Sequence, residues 1–288
     1  MTQETNPIQG EPKIPDQSTP QRASGKRHPI LIVVLVLVLV ACIAGAGYGI
    51  WQIVTTEQQI ESAQNEEKIV PTIPDSSSSS AASSQAAPKL EKNPINFAEL
   101  KKQNADIYAW IYVPGTNVNH AIVRHPTDNE FYLNHDETQQ ESELGAVFTE
   151  DYNTTDFKDA VTLVYGHNIR DGLMFSTLHY FEDAAFFDEN DKFYVYTPGH
   201  IYTYKIVSAY TTDDRHILYY YNYFQSFDDL RAFEKEIRDP HSIQQNTRDV
   251  KLDDSSKIVV MSTCNSGALE EHGRYLVCGV MINDQPTE

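Results

Sequence analysis

Three residues in the second half of the chain carry side chains suited to acyl transfer: a thiol at Cys264, an imidazole at His167 and a guanidinium at Arg274. A thiolate attacks carbonyl carbon and an imidazolium protonates a departing amine. A guanidinium stays charged at any working pH and offers five donors to a developing oxyanion or a peptide backbone. Each residue alone is weak. Most free cysteines are small buried hydrophobes, the chain has ten histidines, and an arginine at a strand start is usually a surface ion-pair partner.

Placement strengthens the set. Cys264 follows the apolar run KIVVMS in the context Met261-Ser262-Thr263-Cys264-Asn265-Ser266-Gly267. His167 follows AVTLVYG, where a strand would fix it and Gly166 would let a backbone or a substrate approach closely. Arg274 opens GRYLVCGVM ten positions after Cys264, so a strand–loop–strand hairpin would bring the two side by side. Cys278, in the middle of that last run, reads as core. His28, His125, His216 and His241 sit in polar surroundings and read as solvated, and His179 is not at metal-ligand spacing from His167. The aromatic run Tyr219–Tyr223 reads as a partly buried loop cluster, with a groove lining as its other reading. No zinc-ligand pattern, serine nucleophile elbow or phosphate-cradling glycine loop competes, so neither a metal nor a cofactor is expected.

The elements that must position these residues are mostly extended. Strands are predicted over Val118–Val123, Ala160–Tyr165, Lys192–Thr197, Ile201–Tyr210, Lys257–Met261 and Tyr275–Ile282, with Pro198-Gly199 as a hairpin turn. Asn96 and Glu99 have capping-box spacing, and Phe97, Leu100, Ile107 and Ile111 recur near a helical period, which predicts an opening helix. A second helix is capped by Ser226, with Phe227, Leu230, Phe233 and Ile237 on one face. The domain is mainly β, a closed or nearly closed barrel with a few helices.

The organisation ahead of that domain is compositional. Residues 1–29 have almost no large apolar side chains and read as a disordered tail. Residues 30–54 carry no charge over 25 positions, enough at roughly 1.5 Å per residue to cross about 30 Å of hydrocarbon. A cleaved signal peptide is the rival reading, given the small residues Ala44 to Gly47. The run exceeds the usual signal core of about 7–15 residues, and Trp51 suits an interfacial anchor. Arg22, Lys26 and Arg27 precede the span and Glu57, Glu61, Glu66 and Glu67 follow it, which places the N-terminus in the cytoplasm and the bulk of the chain outside. Residues 55–92, with the tract Ser76–Ser80 and AASSQAAP, read as a flexible linker, and 93–288 as the catalytic domain. A net charge of −19 argues against nucleic acid as a partner. Cys42 lies in the span, so only Cys264 and Cys278 remain outside and no disulfide framework is expected.

The segments YGHNIRDGLMF (Tyr165–Phe175), Ser262-Thr263-Cys264 and HGRYLV (His272–Val277) resemble the three signature segments of class B sortases. Asp106–Asp136 and Gly145–Asn153 are also similar to that family, and the likeness runs from about Phe97 to Ile282. The resemblance implies a sortase-type closed β-barrel with N-terminal helices and one or two inserted helices, on the outer face of a Gram-positive membrane. It implies a cysteine transpeptidase with His167, Cys264 and Arg274 as catalytic residues. It also implies that Asn129, Leu133, Tyr165 and Ser262 line the substrate groove. The implied partners are secreted proteins with a C-terminal sorting signal, a peptidoglycan precursor amine, and the membrane through the N-terminal helix. Asn265-Ser266-Gly267 departs from the family, where an aromatic or acidic residue often follows the cysteine, and this bears on groove shape. Two alternatives stay open: a sortase-fold enzyme that polymerises pilin subunits, and a non-catalytic anchored binding module.

Overall fold

The computed structural model describes residues 29–65, 71, 73, 90–264 and 273–288. They fall into two compact units, one ending at Trp51 and one beginning at Gln52. Helix α1 (Pro29–Asn65) contributes to both. In the first unit its large side chains from Val33 to Val40 are all exposed, and it carries an 18-residue stretch of mean hydropathy 2.6. By length and composition that is enough to cross a membrane.

In the second unit the end of α1 lies against the folded domain. Ile60 is buried among core residues with Ala63 beside it, Thr56 Oγ1 donates to Glu143 Oε2 (3.3 Å), and Gln59 Nε2 donates to the Glu141 carbonyl (3.3 Å). Residues 55–65 are therefore helical rather than the start of a flexible linker, because Ile60 and Ala63 give that stretch an apolar face to bury. Residues 1–28 of the expected tail and most of the expected linker lie outside the described residues.

Helix α2 (Phe97–Gln103) starts as its capping residues predict, with the Asn96 side chain accepting from Glu99 N. It ends sooner than the spacing of Ile107 and Ile111 suggests. Asn104 adopts an extended conformation, and its side-chain oxygen accepts from Asp106 N (2.9 Å), which turns the chain into strand β1 (Ile107–Tyr112). Ten further strands follow among the described residues, of which the first nine are β2 (Asn119–Val123), β3 (Val147–Phe148), β4 (Val161–Tyr165), β5 (Asn168–Ile169), β6 (Leu173–Met174), β7 (Lys192–Thr197), β8 (His200–Thr212), β9 (Gln245–Thr247) and β10 (Ile258–Cys264). The last is β11 (Arg274–Pro286). Between them lie helices α3 (Ala184–Glu189), α4 (Ile217–Tyr220) and α5 (Phe227–Arg238), the last closed by the Ser226–Asp229 capping box.

Eight strands form a closed barrel in the order β11-β10-β4-β3-β2-β1-β7-β8, with β8 pairing back onto β11; β9 adds to β8 outside the ring. Neighbours are antiparallel except for β2 with β3 and β4 with β10. The fold is thus the mainly β barrel with N-terminal and inserted helices that the sequence implies. The Pro198-Gly199 turn joins β7 to β8 with Gly199 at φ +90°, a conformation open to glycine.

The strands that matter for the site are buried on both faces. Val164, Val259, Met261, Tyr275 and Val277 fill the barrel. Val161, Leu163, Ile258, Val260, Leu276, Cys278 and Val280 face outward and are covered by Leu230, Phe233 and Ile237 of α5. Such two-sided burial makes β4 and β10 continuous apolar runs. Cys278 is fully buried, and burial pushes its thiol well above the ordinary range. Cys278→Ala is therefore expected to leave catalysis unchanged and to cost about 1–2 kcal/mol of stability, read from the denaturant midpoint. The native Cys278 thiol should also resist alkylation.

Candidate active site

The period-two alternation that sends Leu163, Val260 and Leu276 outward also sends out the residues further along the same strands. Tyr165 on β4, Ser262 and Cys264 on β10, and Arg274 on β11 share that face, beyond the cover of α5. The register puts them in two rows. Tyr165, Ser262 and Leu276 are cross-strand neighbours, and Cys264 is paired directly with Arg274, whose other neighbour is Thr212 on β8. Directly opposed residues of an antiparallel pair have Cβ atoms about 4.5–5.5 Å apart. The antiparallel pairing of β10 with β11 thus places Cys264 and Arg274 side by side on one face of the sheet. Cys264 is exposed, and Arg274 is partly buried.

The parallel pairing of β4 with β10 brings His167 to the same end of the sheet. Gly166 N donates to the Ser262 carbonyl (3.2 Å), extending the ladder by one residue, and the chain then turns with Phe175 N bonded to the His167 carbonyl (2.9 Å). The His167 ring is held by Nε2, 2.7 Å from the carbonyl of Leu133. A main-chain carbonyl only accepts, so Nε2 carries a proton and Nδ1 is the nitrogen that gains or loses one.

Leu133 closes a 3-10 turn (Phe131–Leu133) fixed from beneath by Tyr132. The Tyr132 hydroxyl donates to Asp106 Oδ2 (2.7 Å) and accepts from Asn104 Nδ2 (2.8 Å); burial pushes its pKa up to about 12, so it stays a neutral donor. Gly145 packs on this turn at φ +61°. An added Cβ would lie 2.7 Å from the Tyr132 carbonyl, 2.8 Å from His167 Cδ2 and 2.9 Å from the Leu133 carbonyl. Gly145→Ala should therefore displace the imidazole and lower kcat by about 10–100-fold, since a misplacement near 1 Å costs that much. Unchanged turnover in a stopped-time peptide assay would show that the ring position does not matter.

A cavity of about 250 Å³ lies at this end of the sheet. His167, Cys264 and Arg274 share it with all four residues expected along the groove, Asn129, Leu133, Tyr165 and Ser262. Leu133 offers an exposed side chain. The Asn129 amide is already engaged with Asp151, donating to its Oδ1 (2.8 Å) and accepting from its N–H (2.9 Å), so it shapes the wall. The Tyr165 ring stacks on Phe148 at 5.3 Å, and its hydroxyl donates to Glu150 Oε2 (3.1 Å). Burial first and the Glu150 charge second push the Tyr165 hydroxyl far up, with Arg274 pulling the other way, so it remains neutral.

Several participants were not evident from residue type or spacing. His216 is not solvated as expected: it lines the cavity, with Nε2 2.7 Å from Glu150 Oε2 and its ring stacked on Tyr219 at 4.0 Å. Tyr221 of the aromatic run is buried, whereas Tyr219 and Tyr223 are exposed and cluster with Tyr152 beside the cavity. Behind the thiol, Asn168 Nδ2 and His179 Nε2 each lie 3.1 Å from the Cys264 carbonyl, and His179 Nδ1 lies 2.6 Å from Glu182 Oε1. The i, i+3 spacing of His179 and Glu182 on a 3-10 turn was the one available signal. Asn265-Ser266-Gly267 lies outside the described residues.

A closed mixed barrel with a thiol, an imidazole and a guanidinium at the uncovered end of one sheet face has the makings of a cysteine acyl-transfer enzyme. Comparison with known proteins identifies which. The Sortase domain family model matches residues 111–282, and the chain belongs to the sortase family of cysteine transpeptidases. Sortase B of Listeria monocytogenes is 28% identical over 185 residues, covering 64% of this chain and 73% of that protein. The crystal structure of Clostridium perfringens sortase B superposes with a TM-score of 0.59 at 29% identity, covering 65% of this chain and 100% of that one. A class B sortase of Streptococcus pyogenes involved in pilus biogenesis gives a TM-score of 0.56 at 28% identity, covering 65% and 98%. These relatives are class B sortases, and the chain is similar to them in sequence and in fold.

Proposed function

We propose that this chain is a membrane-anchored sortase that cleaves a C-terminal sorting motif after threonine and transfers the released protein to a cell-wall precursor amine. The observation that carries this reading is the shared cavity in which Cys264 is register-paired with Arg274 and His167 is held by Nε2, leaving Nδ1 for proton transfer. The Cys264 thiolate attacks the threonine carbonyl and forms a C–S bond, and Arg274 stabilises the oxyanion. The C–N bond then breaks, and His167 delivers the Nδ1 proton to the leaving amine. The acceptor amine attacks the thioester, gives a proton back to Nδ1, and expels the thiolate as the new amide forms.

Groove contacts come from Asn129, Leu133, Tyr165 and Ser262. The apolar part of α1 is the anchor. Basic residues before it and acidic residues after it favour a cytoplasmic N-terminus and an extracytoplasmic domain. The S. pyogenes relative favours a second reading in which the acceptor is the lysine of a pilin subunit.

The test uses the full chain in detergent with a panel of threonine-containing sorting peptides and two acceptors, a cell-wall peptide amine and a lysine-bearing pilin segment. Cleavage after threonine with transfer to the first supports the main reading, and transfer only to the second supports the alternative. No cleavage of any peptide would sink both.

A further inference from the structure

Two residues before the thiol, the Ser262 carbonyl on the β4 side of β10 is satisfied by Gly166 N. Carbonyls two apart on a strand point the same way, so the Cys264 carbonyl also faces the β4 side, where β4 has already ended. A main-chain acceptor left there without a partner would let the strand end move. Side chains fill the gap: Asn168 Nδ2 donates to that oxygen (3.1 Å), and His179 Nε2 lies 3.1 Å from it and 3.2 Å from Asn168 Nδ2, so His179 backs both the carbonyl and its donor. The far side of the His179 ring is fixed by the Glu182 carboxylate at 2.6 Å, and its face stacks on Tyr275 at 4.6 Å.

The element carrying His179 is itself rigid. It is the 3-10 segment Ser176–Glu182, with Leu178 and Phe181 fully buried. Thr177 Oγ1 accepts from Asn117 N (3.0 Å), and Asn246 Nδ2 donates to the Phe181 carbonyl (2.8 Å). The turn is thus clamped at both ends to the barrel.

We propose that Glu182, His179 and Asn168 form a positioning brace that sets the direction of the Cys264 thiol through its main-chain carbonyl. None of the three reaches the reacting atoms. The brace fixes the backbone torsion from which Sγ projects, and therefore its distance from His167 Nδ1 and from the substrate carbonyl. The inference rests on the sortase reading for its kinetic consequence but not for its geometry.

The experiment compares the full chain with His179→Ala and His179→Gln in detergent. It measures kcat and KM on a cleaved sorting peptide, melting temperature, and the site-resolved rate of Cys264 alkylation by iodoacetamide. The glutamine amide can reach the place of Nε2, while both variants lose the stacking on Tyr275. A fall in kcat of about 10–100-fold for alanine, with KM within about 3-fold and most of the loss restored by glutamine, supports the brace. Parent-like turnover in the alanine variant, or an equal loss in both, overturns it. Should His179→Ala not fold, Glu182→Ala takes its place: a fall in kcat of about 5-fold or more supports the brace, and no change overturns it. Should the parent cleave no peptide, the function proposed above fails separately. The alkylation rate then decides, with slowing of about 5-fold or more supporting the brace and equal rates overturning it.

Discussion

Replacing Cys264 with alanine is expected to lower kcat for peptide cleavage by about 10⁴-fold or more, the scale of losing a covalent nucleophile. No other thiol can substitute, since Cys278 is buried in the outer core and Cys42 lies on the apolar helix. Peptide affinity should change little, because Leu133, Tyr165 and Ser262 still line the cavity. His167→Ala should cost about 10²–10⁴-fold, the usual worth of a positioned proton donor. Steady-state kinetics by chromatography, with fluorescence binding of the same peptide, separates the two effects. An alanine variant at Cys264 that retained a hundredth of parental turnover would mean that the thiol does not form the intermediate.

Arg274→Ala should lower kcat by about 10²–10³-fold, the cost of removing one preorganised oxyanion donor. Arg274→Lys is expected to recover less than about tenfold of that, because an ammonium lacks the planar fork of donors. The register makes this a sharp test. Arg274 is the direct cross-strand partner of Cys264, with Thr212 on its other side, so the substitution changes the side chain paired with the thiol-bearing residue. A fully active lysine variant would reduce the role of Arg274 to charge alone.

What could be read without coordinates follows from which forces act locally. β4, β7, β8, β10 and β11 are apolar on both faces or alternate cleanly, and each announces itself in a short window. β3 has only two residues, and its place between β2 and β4 depends on pairing with strands distant in sequence. Ile107 and Ile111 fitted a helical period, yet Asn104 ended the helix with side-chain bonds to Asp106, Tyr132 and Glu137, the last two 28 and 33 positions away. Cys264, His167 and Arg274 stood out in the sequence because each falls at the end of an apolar run, and the register does bring those strand ends together. Glu150, His216, His179 and Glu182 did not stand out. Each acts on a partner already in place, and the relevant partner of His179 is a main-chain oxygen 85 positions further on, which no side-chain pattern encodes.

Closure of the barrel also bears on biosynthesis. β11 lies between β8 and β10, so the ring stays open until the last of its strands has been made. A growing chain carries His167 nearly a hundred residues before Cys264, and Arg274 arrives after both. During that interval β10 has no β11 beside it, and Cys264 has no Arg274 opposite it. Contacts of such long sequence separation form late and slowly. A nascent chain therefore displays a thiol before it owns a catalyst, and acyl transfer begins only after the whole barrel has been synthesised and closed.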